Sequence, residues 1–131
     1  KGDFAAAEPL CREALEGRRE SLGNRHQSTL NSIDPLGLLL MAKGDFAAAE
    51  PLLREVLKAR RETLGIRHPD TLVSIGNFGA VLKAKGDFAA AEPLLREALK
   101  GKLETLGNRH PSTLVSINNL GKLLKEKAGP E

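Results

Sequence analysis

The sequence predicts an all-α fold, a solenoid of about six helices stacked as antiparallel pairs, on three observations. The decapeptide KGDFAAAEPL stands unchanged at Lys1–Leu10, Lys43–Leu52 and Lys85–Leu94, which sets a period of 42 residues. The second and third copies differ at only 11 of 42 positions, and a fixed period of this length marks units that bury their apolar faces only by stacking. Each period also carries two helical patterns, and with four Phe and no Trp or Tyr the core must be built from Leu, Ala, Ile and Val, which suits close helix packing.

The first helix of a period is clearest in the third copy, DFAAAEPLLREALKGKLETLG. Phe88, Ala91, Leu95, Ala98, Leu99, Leu103 and Leu106 recur at helical spacing and form one stripe. Asp87 after Gly86 reads as the N-cap and Gly107 as the stop, and Glu92 precedes Arg96 by four residues, the favourable order for a surface pair. Pro9, Pro51 and Pro93 fall inside this pattern, where a proline costs about 3 kcal/mol. The stripe keeps its phase through Pro9, so the helix is expected to begin before it, with the proline on the outer face as a bend.

The second helix follows the linker NRHPS and reads TLVSINNLGKLLKEK, with Leu114, Ile117, Leu120 and Leu124 on one stripe. Gly121 lies within it, as Gly37 and Gly79 do in the earlier copies. A glycine there weakens the helix by about 1 kcal/mol, so close approach of a neighbouring helix is the expected gain. The first copy departs from the pattern, with Asp34-Pro35 for Gly76-Asn77 and Leu38 and Met41 for Ala80 and Lys83. Pro35 is expected to kink or shorten that helix. Leu38 and Met41 make its outward side apolar, either as a specialised hydrophobic pocket or as a drifted copy.

The organisation expected is one repeat domain over 1–131, with repeats 1–42, 43–84 and 85–126 and a tail 127–131. Because the chain opens at Lys1 without Met and part-way through a unit, it is read as a fragment of a longer array.

The 20 basic and 17 acidic residues are interleaved, unlike the one-sign stripe of a nucleic-acid binder, so no nucleic-acid partner is expected. No apolar run reaches membrane-spanning length and no secretory segment is visible. Cys11 has no internal disulfide partner, and a reducing, cytoplasmic location without membrane attachment is the default. Cys11 takes the place of Leu53 and Leu95, as a small core residue. His26, His68 and His110 recur in the linkers, but tandem linkers lie about 10 Å or more apart, too far to share a metal ion, so capping or packing is expected and no metal site. Without a phosphate loop, a CxxC pair or a nucleophile beside a base, neither a cofactor nor an enzymatic activity is expected.

The stretches IGNFGAVL (Ile75–Leu82) and INNLGKLL (Ile117–Leu124), followed by Gly86-Asp87-Phe88, Ala91, Leu95 and Ala98, resemble a tetratricopeptide repeat with its aromatic positions replaced by Ile and Leu. Eight additional residues per unit, together with AEPLLREAL, HPDTL and NNLG, are more similar to the 42-residue variant of kinesin light chains. The resemblance implies a right-handed superhelix with a concave groove that holds peptide segments of partner proteins, a scaffold and not a catalyst. It places Val73, Gly76, Asn77, Ala80 and Lys83 of the second copy, and Val115, Asn118, Asn119, Lys122 and Lys125 of the third, on the groove side, with Leu38 and Met41 in the first. Asn77 and Asn119 would anchor a peptide main chain or else bond within the repeat. Lys122 and Lys125 would favour an acidic segment. The alternative function is self-assembly: Phe4, Ala7, Cys11 and Leu15 at one end and part of the Leu114–Leu124 stripe at the other would be open, complementary head to tail, and give homo-oligomers.

Overall fold

The local signals translate into six helices in chain order: α1 (Phe4–Leu22), α2 (Gln27–Ala42), α3 (Phe46–Leu64), α4 (Pro69–Ala84), α5 (Phe88–Leu106) and α6 (Pro111–Ala128). The structure, a computed structural model, describes residues 3–129. Lys1, where the first copy opens, and the last two residues of the tail lie outside it.

Both helices of a unit are capped by side chains that recur with the period. Asp3, Asp45 and Asp87 accept the amides of Ala6, Ala48 and Ala90 at 3.1, 3.2 and 3.2 Å. His26, His68 and His110 accept, through Nδ1, the amides of Ser28, Asp70 and Ser112, each at 3.0 Å. The histidines are thus N-caps, and Pro69 and Pro111 occupy the first helical turn, where no amide partner is lost. Helix α6 therefore starts at Pro111, ahead of the Thr113 expected from the linker pattern. Gly44 and Gly86, at φ of 84° and 89°, make the tight turns into α3 and α5, sealed by bonds from the Asp45 amide to the Leu40 carbonyl and from the Asp87 amide to the Leu82 carbonyl.

The three recurring prolines lie within α1, α3 and α5, on exposed positions, and the helices begin five residues before them. Pro35 does not shorten its helix: α2 and α4 both have 16 residues. Pro35 is exposed, so water can replace the amide that the Asn31 carbonyl loses.

Each helix packs on the next, and the core is spread along the stack. One cluster gathers Leu30, Ile33, Leu36, Leu40, Leu53 and Val56, a second Leu57, Leu72, Ile75 and Ala98, and a third Leu82, Ala91, Leu95, Leu120 and Leu123. Phe78 touches all three. The buried hydroxyls of Thr29, Thr71 and Thr113 tie each linker-following helix back to the helix before it, donating to the carbonyls of Arg18, Arg60 and Lys102. The outer face carries a ladder between units. Arg19 and Arg61 each hold a glutamate of the following unit, Glu55 and Glu97, through two guanidinium nitrogens. Glu8, Glu50 and Glu92 accept from Lys43, Lys85 and Lys127.

Glycine allows the predicted close approach. A Cβ built at Gly37 or Gly79 would stand 2.7 or 2.9 Å from Leu53 or Leu95 Cδ2, whereas at Gly121 it meets nothing. The α6 stripe differs from expectation for the same reason. Leu120 is buried, but Leu114, Ile117 and Leu124 are exposed, and Leu123 takes the core position instead. Leu72, the counterpart of Leu114, is 2% exposed beneath α5, while Leu114 is 49% exposed with no helix on it. At the other end, the open face of α1 is not the one expected from Phe4, Ala7, Cys11 and Leu15. Leu15 is buried, and Phe4, Ala7 and Cys11 are half-buried against the stack. Leu10, at 67% exposure, and Ala14 form the open side. Leu103 and Leu106 also turn outward; Leu103 stands where Arg19 and Arg61 bear the ladder.

Two outcomes follow from this packing. Gly79→Val is expected to lower unfolding free energy by about 1–3 kcal/mol through overpacking against Leu95, and Gly121→Ala to raise it by about 0.5–1 kcal/mol, both read from urea melts. The lysine hydrogen bonds, reinforced by arginines one turn away, hold the carboxyls of Glu8, Glu50 and Glu92 below the ordinary glutamate value. Their contribution is therefore complete above an unfolded-state value of about 4.3 and is lost as pH falls through the depressed folded values. Melting temperature should drop with pH in that acid window, by less at 1 M salt than at low salt.

Candidate functional site

The period brings three basic side chains, Arg18, Arg60 and Lys102, to equivalent places near the ends of α1, α3 and α5. Their backbone carbonyls are held by the buried threonines, so each side chain leaves its helix toward the next linker-following helix. Arg18 reaches the Ser32 hydroxyl. Arg60, only 2% exposed, donates to Ser74 Oγ at 2.8 Å, to Asp34 Oδ2 at 2.7 Å and to Asn31 Oδ1 at 2.9 Å. It thereby fills the space between α2, α3 and α4.

The same space one unit later is a pocket of about 200 Å³ between α4, α5 and α6. Gly76 stands there in place of Asp34, and Val73 in place of Asn31. Asn77 and Ala80 on α4, Ala98 and Lys102 on α5, and Val115, Ser116 and Asn119 on α6 complete its wall. Lys102 Nζ reaches only the Ser112 carbonyl, at 3.5 Å, and among the described residues no carboxylate pairs with it. Burial pushes its ammonium below the ordinary lysine value. Among the described residues the side-chain amides of Asn77 and Asn119 also have no hydrogen-bond partner, so their donors and acceptors are available to a ligand.

The residues expected on one groove do not all converge. Asn77 and Asn119 share the pocket with Val73, Gly76, Ala80 and Val115. Asn118 is exposed outside it. Lys83, Lys122 and Lys125 line a separate, open depression beside Phe88, where Lys83 Nζ lies 3.9 Å from the Glu126 carboxylate. In the first unit Leu38 is exposed, but Met41 packs against the first core cluster and is not part of an apolar groove wall with it. Arg60 and Lys102 are the site residues that sequence reasoning missed. The signal was the basic residue repeated at 18, 60 and 102, four positions after Ala14, Val56 and Ala98; Val56 and Ala98 are on the side of α3 and α5 that another helix covers, whereas Ala14 is exposed. Among the described residues no cluster of three or more His, Cys, Asp and Glu could hold a metal ion, and no helix is long and apolar enough to cross a membrane.

Removing one member of the buried pair should expose how much Arg60 depends on it. Asp34→Ala, which strands the guanidinium, is expected to cost about 3–5 kcal/mol, and the double change Asp34→Ala with Arg60→Met much less. Chemical denaturation of the three proteins reads the difference.

The tetratricopeptide repeat models match residues 30–104 and 1–28. Among solved structures, the kinesin-light-chain-type protein of Podosopora anserina with nearly identical TPR-like repeats superposes with a TM-score of 0.92 at 27% identity, and a point variant of it at 0.92 and 28%. Each comparison covers 97% of this chain and 60% of the relative. BtubC (BKLC) from P. vanneervenii gives 0.83 at 27% identity over 98% of this chain and 50% of its own. The chain thus spans less than two thirds of these relatives. No curated protein matches it. With six helices in the described residues, a recurring unit and two family matches in agreement, the chain belongs to the tetratricopeptide repeat family, in its kinesin-light-chain-like form.

Proposed function

We propose that this chain is a non-catalytic scaffold that binds an extended segment of a partner protein along the face made by α4 and α6. Tetratricopeptide repeats in general mediate protein–protein interaction, and the fold is a typical non-catalytic scaffold. The observation that carries the finer reading is the pocket between α4, α5 and α6, where two unpartnered asparagine amides flank apolar walls. An extended peptide offers one donor and one acceptor per residue, and an asparagine can satisfy both. Val73 and Val115, both exposed, supply apolar contact beside them. Lys83, Lys122 and Lys125, in the neighbouring depression, favour an acidic stretch where the segment leaves the pocket. The unit boundaries used here, 1–42, 43–84 and 85–126, belong to the same reading.

A second reading, head-to-tail self-assembly, is favoured by the open stripe on α6. Leu114, Ile117 and Leu124 lie exposed where their counterparts Leu72, Ile75 and Leu82 are covered by the next helix, and Leu10 with Ala14 offers a covering surface. The charge ladder supports it in part. Arg25 and Arg67 hold Glu62 and Glu104 of the following unit, and Arg109 could hold Glu20 of a second copy in the same way. Leu103, however, would face Glu13 in place of an arginine.

Binding of a partner segment is expected to fall about tenfold or more in the double variant Asn77→Ala, Asn119→Ala, the scale of two lost hydrogen bonds. Isothermal titration with a peptide captured by the native chain measures it, and unchanged affinity would exclude the asparagine anchors. For assembly, light scattering over a hundredfold concentration range should show mass rising with concentration; a constant monomer mass removes that reading.

A further inference from the structure

The internal junctions of the stack, α2 on α3 and α4 on α5, are made by leucines that enter gaps left by glycine. Leu53 and Leu95 fill the gaps at Gly37 and Gly79, where an added Cβ would stand 2.7 and 2.9 Å from a leucine methyl. In the opposite direction Leu72 of α4 fills the gap at Gly101 of α5, 2.5 Å from a Cβ built there. Two further glycines hold the same places at the ends of the stack, Gly121 that of Gly37 and Gly79, and Gly17 that of Gly101. A Cβ on either meets nothing within 4 Å, so each weakens its helix with no contact in the single chain to offset the loss.

Beside Gly17 a space of about 370 Å³ lies open between α1 and α2. It is the counterpart of the α4–α5–α6 space with one wall missing. Cys11, Ala14, Arg18 and Ser32 line it where Leu95, Ala98, Lys102 and Ser116 line the other, and nothing among the described residues stands where α4 covers α5.

We propose that the missing wall is α6 of a second copy of this chain, docked in the register of the internal junctions. Leu114 then seats on Gly17 as Leu72 does on Gly101, and Cys11 enters over Gly121 in the place of Leu53 and Leu95. Arg18 reaches Asn118, which holds the position of Asp34 in the period. The proposal rests on the self-assembly reading above and deepens it by naming the contacts. Ile117 and Leu124 are covered in this register as Ile75 and Leu82 are in the chain. Arg109 meets Glu20 as Arg25 and Arg67 meet Glu62 and Glu104. The two surfaces differ, so each added copy leaves one free face of each kind and growth is open-ended, not a closed dimer. Two places fit less well than inside the chain: Cys11 is smaller than leucine, and Lys127 and Lys1 of the second copy claim one place in the period. The seam is therefore weaker than an internal junction and depends on concentration.

Cysteine cross-linking tests the register. Leu53 and Leu95 Cγ stand 3.1 and 3.3 Å from a Cβ built at Gly37 and Gly79, and Cys11 carries its sulfur at that γ position. Gly121→Cys thus brings thiols of two copies within bridging reach, whereas within one chain residues 11 and 121 lie on the first and last helices, which do not pack together. Oxidation with diamide, which accepts the two hydrogens of each thiol pair, should link this variant into dimers, trimers and longer chains on a non-reducing gel. The parent, with Cys11 alone, should form no such ladder. Adding Gly17→Gln, with open space around it in the single chain, should abolish the ladder without lowering the melting temperature. Removing residues 127–131, which leaves α6 the 16-residue length of α2 and α4, should lengthen the linked chains at equal concentration.

A Gly121→Cys protein whose mass rises with concentration but which forms no ladder would overturn this register and leave assembly standing. A ladder that survives Gly17→Gln, one that shortens when residues 127–131 are removed, or ready Cys11-to-Cys11 dimers of the parent, which would pair α1 with α1, would do the same. A chain that stays monomeric by light scattering and forms no ladder would overturn both the register and the assembly reading.

Discussion

The whole stack depends on one constraint: a linker-following helix has an apolar face on two sides, and only the next unit can cover the second. Leu72 beneath α5 and Leu114 without a successor hold the same place in equivalent helices, and their exposures are 2% and 49%. Burying such a side chain is worth about 1.5–3 kcal/mol, and the stripe holds three of them per unit. Stability in such an array is a sum of unit and interface contributions, so glycines at 37 and 79 matter beyond their own size. They let Leu53 and Leu95 enter the groove of the preceding helix, and the apolar contact continues from one unit to the next.

Because each unit repeats its neighbour's contacts, polar groups repeat too. The capping aspartates and histidines, the threonine hydroxyls and the arginine–glutamate ladder each recur at the same interval, and each satisfies a backbone group or a charge that stacking would otherwise strand. Exposed ion pairs of this kind contribute little individually. Their value lies in register: Arg19 and Arg61 each grip a glutamate 36 residues on through two nitrogens, which fixes how far one unit rotates against the next. The Arg60–Asp34 pair is of another kind, since the guanidinium is enclosed at 3% side-chain exposure while Asp34 is 19% exposed. Asp34 Oδ1 and Arg60 Nε are left without partners, so its geometry is not fully compensated, and its presence specifies the first inter-unit space more than it strengthens it.

The fold was legible in the sequence wherever a signal was local and copied. Period, caps and the glycine turns all depend on residues within a few positions of one another, and three near-identical copies remove most of the ambiguity of one. What was not legible depended on which of two neighbours covers a face. Leu103 and Leu114 both sit on the apolar stripe in sequence, yet both are exposed: the helix that covers Leu72, the counterpart of Leu114, belongs to another unit, and Leu103 stands at the outer position where Arg19 and Arg61 carry the ladder. Arg60 and Lys102 escaped for a related reason. In helices rich in Arg, Lys and Glu, a basic residue four positions past an apolar one reads as part of a solvated face, and only the packing of α2, α3 and α4 shows that one of them is enclosed. The asparagines were half legible: Asn119 lies in the pocket and Asn118, its neighbour, does not, since one residue turns the side chain 100° around the helix.

The divergence of the first unit takes on a different meaning once its neighbours are compared. As a sequence, Asp34-Pro35 breaks the pattern and suggests either drift or an apolar pocket. In the stack, Met41 is drawn into the core and Leu38 stands alone on the surface, so an apolar pocket has no second wall. Asp34 instead carries a specific contact, and its proline neighbour costs the helix no length. An α-solenoid can absorb such a change because Asp34 faces a side chain from the next unit and not the backbone of its own. Fold and site are thus written on different positions of the same period: the stripe, the caps and the glycines are held constant, and residues 31, 34 and their counterparts vary what each inter-unit space contains. Exchange of Asp34 and Asn31 for Gly76 and Val73, with Lys102 in place of Arg60, separates a filled space from an open one, with equivalent helices on every side.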